Sequence, residues 1–284
     1  MSTAELTLAP RSVPEIGLRL YRSELSLTFR RRRNQALLVL VGAVPVLVGI
    51  ALRLAGKPGN GGPELINQVA GNGVFLSVAS LFFLLPLILP LAVAVVSGDS
   101  IAGEASAGTL RYLLAVPAGR TRLLFVKYTT SVTFCVAAVA TIAATALATG
   151  AILFPVGPVT LLSGTTISLA AGLGRLGLVG LYVVAVIATV AAIGLAISTV
   201  TDSPIAAITA TAVLPVISQV VDAVPQLGSV HPYLFTHWGM SYDGLLRDPM
   251  ATGDVTRGLL TFLAYTLIFG SVAWARFTTK DVTC

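Results

Sequence analysis

Charge is what this sequence holds least of. Asp, Glu, Lys and Arg make up 11% of its 284 residues, whereas a soluble domain averages about 25%. Cysteine is nearly absent, with Cys135 and Cys284 the only two, so a disulfide-stapled scaffold is excluded. Methionine is scarce too. Met1, Met240 and Met250 supply few soft ligands for a copper path. Disorder is excluded by the opposite extreme, an apolar content of 55%. That much apolar side chain exceeds what one soluble core buries, which leaves an integral membrane protein.

A helix crossing a ~30 Å hydrocarbon core needs about 20 mostly apolar residues. Six such runs are legible, at about 36–54, 74–97, 123–154, 176–200, 205–224 and 258–275. They are apolar on every face and lack the alternation of a membrane barrel strand, so the expected fold is all-α. The first run is long for the core of a signal peptide and is expected to remain as an anchor. With the N-terminus in the cytoplasm, 13 of the 18 Lys and Arg fall on the inner side and 5 on the outer. The rule that positive loops stay inside therefore predicts both termini in the cytoplasm, in the cytoplasmic membrane. Arg30, Arg31, Arg32 and Arg33 directly precede the first span. They read as an anchor on anionic lipid rather than a nucleic-acid patch, so the net charge of +6 calls for no nucleic acid.

Residues 1–35 are expected to form a tail and an interfacial helix, followed by a six-helix domain over 36–284. Ser12, Pro14 and Glu15 form a capping box. Leu18, Tyr21, Leu25 and Phe29 then recur on one face, with arginines largely elsewhere, which suits a helix lying on the inner membrane surface. Gly56-Lys57 lacks the flanking residues of a P-loop, because Ala51 and Pro58 stand where Gly and Ser or Thr belong. Residues 172–177 spell G-x-G-x-x-G but open a span rather than follow a strand. Gly174, Gly177 and Gly180 are therefore expected to permit close helix packing.

Two loops stand out. In the loop over 98–122, Leu110, Leu113 and Leu114 share one face of a short helix stopped by Pro117 and Gly119. An apolar stripe standing off the membrane wants a partner groove. The outer loop over 225–257 holds His231 and His237. Their spacing of six does not align helical ligands and no cysteine joins them, so no metal site is expected. No span carries a nucleophile with a base beside it, so the chain is expected to be non-catalytic and to bind no cofactor. Arg53, Arg175, Asp202 and Asp222 all fall near span ends, where snorkelling or capping accounts for them. An ion-coupled carrier usually needs ionisable groups at mid-bilayer, so a transporter energised from elsewhere is favoured over that alternative and over a non-transporting scaffold.

The loop over 98–122 resembles that of the membrane subunits of the type-2 ABC exporter family. The matching residues are Glu104, then Gly108-Thr109-Leu110, the pair Leu113-Leu114, Pro117 and Arg120, with Asp99, Ile101 and Gly103 as lead-in and Lys127 at the start of span three. Val126 departs from the family's usual Gly. Glu24-Leu25 with Arg30, Gly194-Leu195 with Ser198, and His231-Pro232-Tyr233 match more loosely. The resemblance implies a permease with a cytosolic coupling helix between spans two and three. Glu104, Gly108, Thr109, Leu110, Arg111, Leu113, Leu114, Pro117 and Arg120 would engage a separate ATP-binding subunit. Two copies of that subunit, holding the ATP and Mg, would work with two permease chains. By the same analogy Phe82, Phe83, Pro86 and Pro215 line the path of a lipophilic or amphipathic substrate.

Overall fold

The computed structural model describes residues 13–55, 72–109 and 119–279. Its helices are α1 (Val13–Arg30), α2 (Arg32–Ala55), α3 (Phe75–Leu84), α4 (Ile88–Ser106), α5 (Arg120–Leu153), α6 (Leu169–Val200), α7 (Pro204–Asp222) and α8 (Thr252–Thr279). A two-stranded antiparallel hairpin, β1 (Val159–Thr160) and β2 (Thr166–Ile167), joins α5 to α6, and short 3-10 turns join α7 to α8. Six helices, α2 and α4 through α8, are long and apolar enough to cross a membrane. The chain is thus an all-α multi-pass membrane protein.

Burial sorts these helices into layers. The most apolar windows of α4 and α6 are each 61% buried, against 17% for α8 and 28% for α5. The pair α4–α6 is therefore the axis on which the others lean. Small residues let it close. A methyl on Gly194 would strike Ser97 of α4, and one on Gly98 would meet the backbone of Ile208 in α7 at 2.9 Å. Ser198 Oγ of α6 accepts from the amides of Ile101 and Ala102 at 3.0 and 2.8 Å. Close backbone approach and interhelical hydrogen bonds are what hold helices together where no hydrophobic drive exists between them.

Several expectations change in detail. The run at 74–97 is two helices rather than one, interrupted at residues 85–87 around Pro86. Pro86 has no amide to donate and its ring crowds the preceding turn. The freed Pro86 carbonyl accepts from Gln219 Nε2 of α7 at 2.6 Å, so the break stays satisfied inside the bundle. Helix α4 then runs on to Ser106, into the stretch read as loop, and α5 already begins at Arg120. Helix α6 starts at Leu169, and α8 spans Thr252–Thr279, both longer than their apolar runs. Gly174 and Gly177 have open space where a side chain would stand, and Gly180 has only an ordinary contact with Val139. Those three glycines do not make the close crossings; Gly98 and Gly194 do.

Helix α1 leans on α5. Tyr21 Oη lies 2.6 Å from Thr133 Oγ1, the rings of Phe29 and Phe134 are 6.1 Å apart, and Glu24 is buried. Leu18, grouped by periodicity with Tyr21 and Phe29, is instead exposed. The capping box at 12–15 lies outside the residues whose side chains are described.

Candidate functional site

Of the sequence-predicted coupling residues, Glu104, Gly108, Thr109 and Arg120 fall at one end of the bundle, where α4 ends and α5 begins. Helix α4 terminates in a Schellman motif. Gly108 adopts φ +67°, its amide donates to Ala105 O at 3.1 Å, and the Thr109 amide donates to Glu104 O at 3.0 Å. This left-handed position favours Gly because a Cβ would crowd the carbonyl. Gly119, also at positive φ (+35°), brings the chain back into α5. The two glycines bracket residues 110–118. Leu110, Arg111, Leu113, Leu114 and Pro117 belong to that stretch and lie outside the described residues.

Just inside the bracket, charges are gathered. Lys127 of α5 is buried and its Nζ lies 2.6 Å from Glu104 Oε1 of α4 and 3.4 Å from Glu24 Oε2 of α1. One ammonium thus ties three helices. One turn further along α4, Asp99 Oδ2 accepts from Arg31 at 2.5 Å and from Arg33 at 2.8 Å. Two of the four arginines read as lipid anchors are therefore clamped on α4, and Arg33 also donates to Val95 O at 3.4 Å. Arg120 donates to Thr278 O at 2.9 Å and Trp274 to Thr121 Oγ1 at 3.0 Å, which docks the end of α8 on the start of α5. Glu104 and Lys127 both belong to the motif quoted from the loop, whereas the second carboxylate on Lys127, Glu24, carries no spacing signal that links it to that lysine.

The residues assigned to a substrate path separate. Pro86 and Pro215 share a cavity of about 320 Å³ with Leu85, Pro90, Phe235 and Gln219. Phe82 borders another cavity, of about 420 Å³, with Val78, Leu162 and Met240. Phe82 and Phe83 are themselves exposed and stack edge to face at 5.6 Å. His237 lines both cavities.

The far end of the bundle is held differently. Arg175 donates to the carbonyls of Leu245 and Arg247 at 2.8 and 3.0 Å rather than snorkelling. Tyr182 donates to Trp238 O at 2.6 Å and Tyr265 to Tyr233 O at 3.0 Å. These bonds fold residues 225–251 onto α6 and α8. They also deliver His231 and His237 to Asp222, the last residue of α7. His237 Nδ1 is 2.7 Å from Asp222 Oδ1 and His231 Nδ1 is 3.9 Å from it. Helical spacing was the wrong test for these two residues, because they sit on turns and not on a helix.

No protein of curated function matches this sequence. A family described as a protein of unknown function (DUF2705) matches residues 65–283, which takes in every described element from α3 to α8, and the chain belongs to that family.

Proposed function

We propose that the chain is the membrane permease subunit of an ATP-driven exporter of the type-2 ABC kind, non-catalytic itself and moved by a separate cytosolic ATP-binding subunit. The observation that carries this reading is the double clamp behind residues 110–118. Lys127 ties α4 to α5 and α1, and Asp99 ties α4 to the start of α2. A force applied between Gly108 and Gly119 therefore reaches the central helix α4 without being lost in a slack joint. Away from the clamp, α4 starts at the Pro86 break, where it borders a cavity shared with α7. Tilting of α4 would reshape that cavity. Its lining is apolar at Leu85, Val186, Val190 and Phe235 and polar at Gln219, Asp222, Thr236 and His237, which suits an amphipathic cargo better than a purely lipophilic one.

On this reading Leu110, Leu113 and Leu114 press into a groove on the ATP-binding subunit, two copies of which serve two permease chains and hold the ATP and Mg. Arg111, Thr109 and Arg120 flank the contact, and the cytoplasmic membrane holds both termini inside. Burying one Leu contributes about 1.5–3 kcal/mol. Leu113→Asp and Leu114→Asp are each expected to weaken co-purification with the ATP-binding subunit at least tenfold and to uncouple its hydrolysis from cargo. Undiminished association and coupling in both variants would refute the proposal.

A second reading rests on the buried Glu24 and the half-buried Glu104, since ionisable groups inside a bundle also serve proton-coupled carriers. It predicts transport that collapses with the proton gradient while ATP is present. The ATP-driven reading predicts the reverse.

A further inference from the structure

Three side chains with metal-ligating atoms converge at the end of the bundle away from Lys127, and the proposed coupling mechanism uses none of them. Asp222 closes α7, His231 opens a 3-10 turn and His237 lies in the turn that follows. One ligand atom from each lies within 4.8 Å of the other two, the one such group among the described residues. The geometry points to a binding site for a divalent transition-metal ion of the Zn2+ class, held by Asp222, His231 and His237, with its fourth position open to the cavity beside Pro86 and Pro215.

The distances fit. Tetrahedral coordination with bonds of about 2.0–2.1 Å sets ligand atoms about 3.3 Å apart. The two observed separations from Asp222 Oδ1, 2.7 Å to His237 Nδ1 and 3.9 Å to His231 Nδ1, bracket that value. Small side-chain movements therefore close the set around an ion. The tautomer of His231 is already suited. Its Nε2 stands 3.1 Å from the carbonyl of Val224, and a carbonyl only accepts, so Nε2 carries a proton and Nδ1, 3.9 Å from Asp222 Oδ1, is the nitrogen left to ligate. A ligating imidazole held through its other nitrogen by a backbone carbonyl is the usual outer-shell arrangement. Without an ion, His237 Nδ1–H donates to Asp222. With an ion, Nδ1 ligates and the ring proton resides on Nε2.

The donor set selects the metal class. Two imidazoles and one carboxylate suit Zn2+ and its neighbours, whereas Mg2+ and Ca2+ prefer oxygen ligands and Cu(I) prefers sulfur. Access is provided, because Asp222 and His237 both line the cavity of about 320 Å³ and all three side chains are partly exposed. A plain hydrogen-bonded pair would account for Asp222 and His237 alone. It leaves His231 Nδ1 aimed at the same carboxylate at a length too great for a hydrogen bond.

The test uses the full chain in lipid nanodiscs with any affinity tag removed, and needs neither ATP nor cargo, so it stands or falls separately from the transport reading. Zn2+ is titrated calorimetrically. Co2+ or Ni2+ is followed through Trp238, whose ring meets that of His237 edge-on at 4.8 Å, in a Trp274→Phe background that leaves it the sole tryptophan. The expected result is one ion per chain, reversed by chelator, with quenching of Trp238. His231→Gln, His237→Gln and Asp222→Asn are each expected to weaken binding at least tenfold. His231→Gln is the decisive variant, because it leaves the Asp222–His237 hydrogen bond in place and so spares the fold. Absence of bound Zn2+ in the unmodified chain, or unchanged affinity in His231→Gln, would overturn the assignment.

Discussion

The two ends of the bundle are fastened by opposite means. At the Lys127 end, side chain grips side chain through full charges: one buried ammonium between two carboxylates, and one carboxylate between two guanidinium groups. At the Asp222 end, most of the fastening runs from side chains to backbone carbonyls, by Arg175, Tyr182, Tyr265 and Trp238. Charge pairs removed from water cost several kcal/mol per ion to desolvate and hold only while every member is present. Hydrogen bonds to carbonyls are weaker singly, and the loss of one leaves the others standing. On the transport reading, the first end moves as a unit. The second is built to hold an irregular loop over two cavities.

The largest effect expected from this contrast is at Lys127. Lys127→Met leaves the buried Glu24 and the half-buried Glu104 without their shared cation and should cost about 3–5 kcal/mol, read as a lowered unfolding midpoint of the purified chain. Adding Glu104→Gln should recover part of the loss, because the pair acts as one unit. A Lys127→Met chain as stable as the parent would break the comparison at once. Next comes Arg175→Met at the other end, expected to cost about 1.5–3 kcal/mol for bonds from a charged donor. It should also raise proteolytic cutting within 225–251 while leaving the α4–α5 end protected. Gly108→Ala follows. Forcing a Cβ into the left-handed position costs about 1–2 kcal/mol, and increased hydrogen exchange should appear at the end of α4 first. The smallest effect belongs to Arg31→Gln. Half-exposed arginines on a shared carboxylate contribute less than about 1 kcal/mol each, so the double change with Arg33→Gln should be needed before α2 loosens from α4.

Much of this architecture is legible in the sequence, because a helix surrounded by apolar partners or lipid needs only an unbroken apolar run, and six such runs stand out. Helix ends are less legible. Residues 98–106, Gly-Asp-Ser-Ile-Ala-Gly-Glu-Ala-Ser, have poor helix propensity and read as loop, yet tertiary partners keep them helical: Ser198 on the backbone, arginines on Asp99 and Lys127 on Glu104. A proline inside an apolar run is a cause of bending, but the Gln219 side chain that makes a full break at Pro86 tolerable lies 133 positions away. The convergence of Asp222, His231 and His237 was invisible for a related reason. Ligand spacing rules assume a regular helix, and here 3-10 turns set the distances. The leucine-faced segment at 110–118 rests on periodicity alone, since it lies outside the described residues.

The central claim is that residues 110–118 face the cytosol and receive force there from an ATP-binding subunit. The most direct measurement is cysteine cross-linking from Leu113→Cys in a chain carrying Cys284→Ser, with Cys135 buried in the bundle. A cross-link to a co-expressed ATP-binding subunit, whose yield changes when ATP is trapped, is the predicted result. Labelling of the same cysteine by a membrane-impermeant thiol reagent added outside intact cells would contradict it.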